Sequence, residues 1–304
     1  MTAELYIIPE SFENTGRLTK DEIEEKVKSL AQDFDSIRQY KSENKIHVNP
    51  QIYSVVFICD VTMEELLYNH EIGRKHIDRD VLLALRKIII ESSNTDISLA
   101  MIKDLLPNHS EKRCHGLIAF NEVSGVEQEY QIVYDINDWY VFRRNFLGLY
   151  PRQRECGYFI DECKKYFPRL FFHERNKETI ACLLDDCPKK IIFHLGALND
   201  KFHEFCKPEL HRTQVLKEFS IGAKLDEEAS LEGNASRKEA FTFDFTNDKK
   251  AQELVCCEPH IKLCHNDNYP SDSSYSTNRR IYFHEGKRHI QGGKILIGHI
   301  GKHL

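Results

Sequence analysis

No apolar run in this chain approaches the ~20 residues that a membrane-spanning helix needs. Mean hydropathy is -0.51, so an integral membrane protein is not expected. The opening MTAELYIIPE has no basic stretch leading into an apolar one, so no secretory signal is expected either. The 10 cysteines lack CxxC spacing, and in the absence of an export signal they read as reduced cytoplasmic thiols. The phosphate loop GxxxxGKS/T is missing, which argues against an ATPase of that class. GxGxxG after a strand, HExxH and GxSxG are missing too, so dinucleotide-fold, zincin and serine-hydrolase chemistry have no support.

What is present is a charged chain with enough apolar surface to fold. Of 304 residues, 41% are hydrophobic, 11% aromatic and 30% charged, which excludes wholesale disorder. Charge is uneven. Residues 260–304 carry +4 and six of the 15 histidines, while the rest of the chain carries -10. An acidic body with a basic, His-rich end suggests that the end meets a polyanion. The plain alternative is a solvated face of a small sheet.

Thr19 and Glu22 form a capping box ahead of Ile23, Val27, Leu30, Phe34 and Ile37, which predicts a helix over roughly 20–41. Ile52 to Cys59 reads as a buried strand, and helices are expected over 62–70, 78–92 and 96–106. His115 to Glu122 and Glu129 to Ile136 flank Ser124-Gly125, a β-hairpin signal. Three short helical stripes follow between Trp139 and about Lys217. Alternating strands are then predicted near 240–245, 258–263, 279–284 and 294–300, making a small antiparallel sheet. The acidic stretch Asp226 to Arg237 reads as a loop. The fold class is α+β, with an α+β domain over 1–138, a helical region over 139–218 and a β-rich domain over 219–304.

Period-two geometry builds one chemical constellation. His260 and Lys262 share one face of their strand, and Arg280, Tyr282 and His284 one face of theirs. If Ile261, Leu263, Ile281 and Phe283 point to the core, the polar set lines an open face, with His299, Lys302 and His303 at the end of the last strand. Metal-free RNA cleavage needs such groups: a base for the ribose 2′-hydroxyl, a cation for the phosphorane and an acid for the leaving oxygen. His260, Lys262, Arg280, Tyr282, His299 and His303 are the candidate catalytic residues. Lys262, Arg279, Arg280, Lys294 and Lys302 are the candidate nucleic-acid contacts. No cofactor and no metal ligand is expected at this site. His260, Cys264 and His265 lie close in sequence but lack paired zinc-ligand spacing.

The succession HIKL, a loop, RRIYF, a turn and KILIGHIGKHL resembles the C-terminal core of RelE/ParE-type toxins. The likeness covers about the last 65 residues. It implies that Lys262 and Arg280 match the toxins' phosphate-contacting cations, and His299 or His303 their C-terminal acid/base position. The loop from His265 to Arg279 is longer than the toxin pattern, and the chain is several times a toxin's size. The stretch from FRRNFLGLYP through YFPRLFFHERN to GHIGKHL also resembles uncharacterised bacterial proteins associated with phage-defence loci.

The function expected is a cytoplasmic bacterial defence or toxin-like effector that cuts RNA without a metal. The first alternative is a non-enzymatic component binding a nucleic acid, or a protein through the acidic N-terminal part. The second is a metal-dependent nuclease built on Asp60, Glu122 and Asp135 at strand ends.

Overall fold

The computed structural model describes all residues except 15–17, 153–154, 234, 264–265 and 269–277. Cys264 and His265 therefore lie outside the described residues. The chain divides into two compact units, Met1–Arg143 and Arg144–Leu304. The fold class is α+β, with a mixed first unit, helices in the middle and small antiparallel pairings at the C-terminal end.

The first unit is built on a parallel sheet. Its strands are β1 (Thr2–Ile7), β2 (Asn44–Val48), β5 (Ser93–Asn94), β6 (Arg113–Ile118) and β7 (Ile132–Val133). They lie in the order β5-β2-β1-β6-β7, with every neighbouring pair parallel. The short helix α1 (Pro9–Phe12) follows β1. The main helix α2 (Lys20–Arg38) starts at the predicted box, with Thr19 and Glu22 capping each other. Its five stripe residues Ile23, Val27, Leu30, Phe34 and Ile37 are buried. Each contributes roughly 1.5–3 kcal/mol of burial. Beyond β2 come a two-stranded ribbon, β3 (Val56–Ile58) with β4 (Val61–Thr62), then α3 (Met63–Tyr68), α4 (His70–His76), α5 (Arg79–Ile90) and α6 (Leu99–Leu105).

Two local expectations are corrected here. The stretch 52–59 is not one buried strand. Asn49 accepts from the Gln51 amide and opens a 3-10 turn over Pro50–Ser54, and only Val56–Ile58 is extended. Nor is there a hairpin over 115–136. β6 ends at Ile118, the chain turns through Gly125 at φ 72, and β7 returns parallel to β6. The buried Gln131 amide donates to the carbonyls of Leu106 (2.9 Å) and His115 (2.6 Å), which anchors the returning chain. Asp135 then accepts from the amides of Asn137 and Asp138 and starts α7 (Ile136–Leu149) where a strand was predicted.

The second unit contains α8 (Cys156–Tyr166), β8 (Leu170–Phe172), α9 (Asn176–Thr179), α10 (Pro188–Phe205) and α11 (Arg212–Gly222). Its remaining strands are β9 (Thr242–Thr246), β10 (Gln252–Cys256), β11 (His260–Lys262), β12 (Arg279–His284) and β13 (Ile295–Lys302). The predicted helical middle and β-rich end belong to this one unit, because β8 pairs parallel with β13. Asn176 bridges them further, donating to Ile297 O (2.9 Å) and accepting from the Ile300 amide (2.6 Å). The four predicted strands exist but do not make one antiparallel sheet. β9 pairs with β10 as a separate hairpin, and the larger sheet runs β11-β12-β13-β8. Among the described residues no helix is long and apolar enough to cross a membrane.

Candidate functional site

Strand register brings the predicted residues side by side. Tyr282 of β12 pairs with His260 of β11 and His299 of β13, and Arg280 pairs with Lys262 and Gly301. The His260 and Tyr282 ring centroids are 5.3 Å apart, and those of Tyr282 and His299 6.0 Å. The alternation that put His260, Lys262, Arg280 and Tyr282 on one face is thus matched by the pairing.

That face is not open. Phe241, Phe243 and Phe245 alternate toward it from β9 and the turn before it, and pack with Val255, Cys257, Tyr282, Ile290 and Leu296. The hairpin β9–β10 has an apolar face of its own, and it buries that face on the sheet. Phe241 stacks on Tyr282 with ring centroids 6.1 Å apart and an angle of 5°. In consequence Tyr282 is fully buried, and His260 and His299 are each 3% exposed.

The loop that follows α11 completes the cover. Ser230 and His260 exchange backbone hydrogen bonds in an isolated bridge, and the Ser230 hydroxyl lies 3.1 Å from His260 Nε2. This bridge carries Glu232 over the sheet. One carboxylate oxygen, Oε1, accepts from the Tyr282 hydroxyl at 2.8 Å and from Arg280 Nη1. His260 Nδ1 stands 3.5 Å and His303 Nε2 3.7 Å from the same oxygen. Arg280 Nη1 also donates to the Tyr282 oxygen at 3.2 Å. The result is a cluster of one carboxylate, one guanidinium, one phenol and two imidazoles at the end of a sheet. Its more open members are His303, with 23% of its side chain exposed, and Arg280, with 14%.

The electrostatics follow from burial and these contacts. Burial alone would raise the Glu232 carboxyl pKa. The Tyr282 hydrogen bond, the Arg280 charge and the two histidines outweigh burial and hold the pKa below the usual carboxylate value. Burial, then the Glu232 hydrogen bond, raise the Tyr282 hydroxyl. Burial, then Arg280, push His260 down to about 4. Burial pushes His299 down to about 4 against its hydrogen bond to Lys302 O. The site therefore holds an ionised carboxylate beside a neutral His260.

Four of the six predicted catalytic residues meet at Glu232: His260, Arg280, Tyr282 and His303. Lys262 turns away, to Glu227 at 2.8 Å. His299 lies tilted beside Tyr282 but directs Nε2 to Lys302 O at 2.9 Å, and its buried Nδ1 has no partner among the described residues. Among the predicted nucleic-acid contacts, Arg279 is 3.6 Å from Asp186. Lys294 lines a different cavity with Arg169, His203, Cys206 and Glu285. Lys302 is exposed at the end of β13. Glu232 was missed from sequence, where it is one acid in an acidic loop. The only signal for it was that a carboxylate lay in a polar segment leading into the strands.

The carboxylates weighed for a metal are not gathered. Asp135 caps α7, Asp60 sits at positive φ in the β3–β4 turn, and Glu122 follows β6. Among the described residues no group of three or more His, Cys, Asp or Glu is arranged to hold a metal ion. No protein-family model, curated protein or solved structure matches the chain.

Proposed function

We propose that this chain is a cytoplasmic bacterial effector that cleaves RNA by attack of the ribose 2′-hydroxyl, with Glu232, Arg280 and His303 as the reacting set. The effector role rests on the resemblance to RelE/ParE-type toxins and phage-defence proteins. The chemistry rests on one observation, the convergence of Arg280, Tyr282, His260 and His303 on the Glu232 carboxylate. Glu232 is ionised and takes the 2′-hydroxyl proton. The 2′-oxygen bonds to phosphorus, and Arg280 stabilises the charge on the non-bridging oxygens. The bond from phosphorus to the 5′-oxygen breaks, and that oxygen takes a proton from His303. Tyr282 and His260 hold Glu232 in position and are positioning residues. In the free protein Arg280 pairs with Glu232, so an entering phosphate competes for that guanidinium.

The test is cleavage of single-stranded RNA in excess chelator. The expected products carry a 2′,3′-cyclic phosphate. Glu232→Gln and Arg280→Ala should each lower the rate by about 10²-fold or more, the scale of losing one acid–base or electrostatic group. Activity that vanishes with chelator and returns with magnesium would overturn this reading in favour of a metal-dependent nuclease. A folded protein without activity would favour the non-enzymatic binding component. One observation favours that second reading in its protein-binding form: Lys262, Arg279, Arg280 and Lys287 already pair with acids of the same chain.

A further inference from the structure

The groove between α4 and α5 in the first unit collects arginines that no acid among the described residues neutralises. Helical spacing builds it. His70 and Arg74 are four apart on α4, while Arg79, Leu82 and Arg86 are three and four apart on α5, so each helix turns one basic edge to the same cavity. The cavity has a volume of about 130 Å³ and an apolar lining that includes Leu66 and Leu82. Gly73 lets α4 settle this closely. A Cβ there would meet Leu66 O at 2.6 Å and Leu82 Cδ1 at 3.1 Å.

Arg74, Arg79 and Arg86 have no acidic partner among the described residues. Arg38, Arg113, Arg143, Arg144, Arg212, Arg279 and Arg280 all do. Arg86 lies over the Tyr68 ring, 5.3 Å from its centroid. Three guanidinium groups around one small apolar-lined space repel one another, and an anion seated among them relieves that repulsion. Their planar forks suit the oxygens of a phosphate, which supplies nearly two negative charges where a carboxylate supplies one.

We propose that this cavity binds the phosphate group of a small organic phosphate with an aromatic or apolar body, of the nucleoside monophosphate kind. The space admits one phosphate group. The body has apolar surface to rest on at Tyr68 and Leu83, which are 51% and 53% exposed.

Calorimetric titration of the full chain with adenosine 5′-monophosphate, adenosine and inorganic phosphate tests this. The monophosphate should bind, adenosine should not, and inorganic phosphate should bind at least tenfold more weakly than the monophosphate. The double variant Arg74→Gln, Arg79→Gln should weaken the monophosphate at least tenfold without changing the denaturation midpoint, because both side chains are exposed. Arg74→Lys with Arg79→Lys, which keeps the charge but loses the fork, should recover only part of the affinity. Should the double variant fail to fold, Arg74→Gln alone is read in the same way. Equal binding of nucleotide and nucleoside, no binding of either phosphate, or affinity unchanged by the glutamines would overturn the proposal. None of these readouts uses RNA cleavage, so the two proposals fail separately.

Discussion

At the scale of single residues, the second unit keeps three imidazoles out of water. His194, His260 and His299 are buried, and each is pushed down to about 4, first of all by burial. An unfolded imidazole takes up its proton near pH 6.5, whereas these do so only near 4. The unfolded state therefore binds more protons throughout that window, and stability falls as pH drops from 6.5 toward 4. Each group contributes on the order of 3 kcal/mol to the loss when the window is fully crossed. Urea unfolding followed from pH 7 to pH 4.5 should give a midpoint that falls steadily below 6.5 and is level above it. His194 is the clean control, because both its ring nitrogens are buried without a hydrogen-bond partner among the described residues. His194→Leu removes no partner, and should leave stability at pH 7 equal or higher while reducing the acid slope. An acid slope unaltered by that variant would remove His194 from the account.

At the scale of elements, docking of the β9–β10 hairpin decides the character of the site. Its Phe243 and Phe245, with Phe241 of the turn before it, fill the sheet face that alternation alone leaves empty. Gly298 of β13 makes room for them. A Cβ at that position would lie 2.3 Å from the Phe243 ring and 2.9 Å from Cys257 Sγ. Gly298→Ala should therefore destabilise the second unit by about 1–3 kcal/mol, the range for overpacking a filled core. It should also lower RNA cleavage, since the same packing holds Tyr282 against Glu232. Urea denaturation and the cleavage assay check both, and a variant as stable as the parent would mean that the hairpin shifts freely. The capping box of α2 carries the opposite lesson. Thr19 and Glu22 lie three residues apart and need nothing distant, so sequence spacing was sufficient to locate that helix start.

At the scale of the whole molecule, the contrast between a basic C-terminal end and an acidic remainder resolves into internal pairing. Lys262, Arg279, Arg280 and Lys287 meet Glu227, Asp186, Glu232 and Glu253, all acids from outside the basic segment. Arg288, Lys294 and Lys302 have no acidic partner among the described residues. Single-stranded nucleic acid releases about 0.7 counterions per phosphate contact. Three free cations, with Arg280 added if phosphate displaces Glu232, give a log–log salt slope of about -3 or shallower. Seven free cations would give about -5. Binding of a non-cleavable RNA measured across salt concentrations distinguishes the two, and a slope near -5 would mean that the internal ion pairs open on binding.

Local information accounts for what was legible in the sequence. Amphipathic helices, caps and period-two strands depend on residues within a few positions of one another, so α2, α5, β12 and β13 stand close to where they were predicted. The face shared by His260, Arg280 and Tyr282 followed from the same periodicity. Partner choice between strands is non-local, and there the sequence reading failed. A Ser-Gly turn between two apolar stretches looks alike whether the chain returns antiparallel or crosses over, and the anchoring of Gln131 to Leu106 and His115, which holds the parallel return, is non-local. The arrival of Glu232 at the sheet is non-local too. Its partners are 28 to 71 positions away in the chain, and no spacing rule relates a loop carboxylate to strands that distant. The sequence determined which side chains share a strand face. Tertiary packing decided that the face is covered, that one carboxylate reaches it, and which histidines meet that carboxylate.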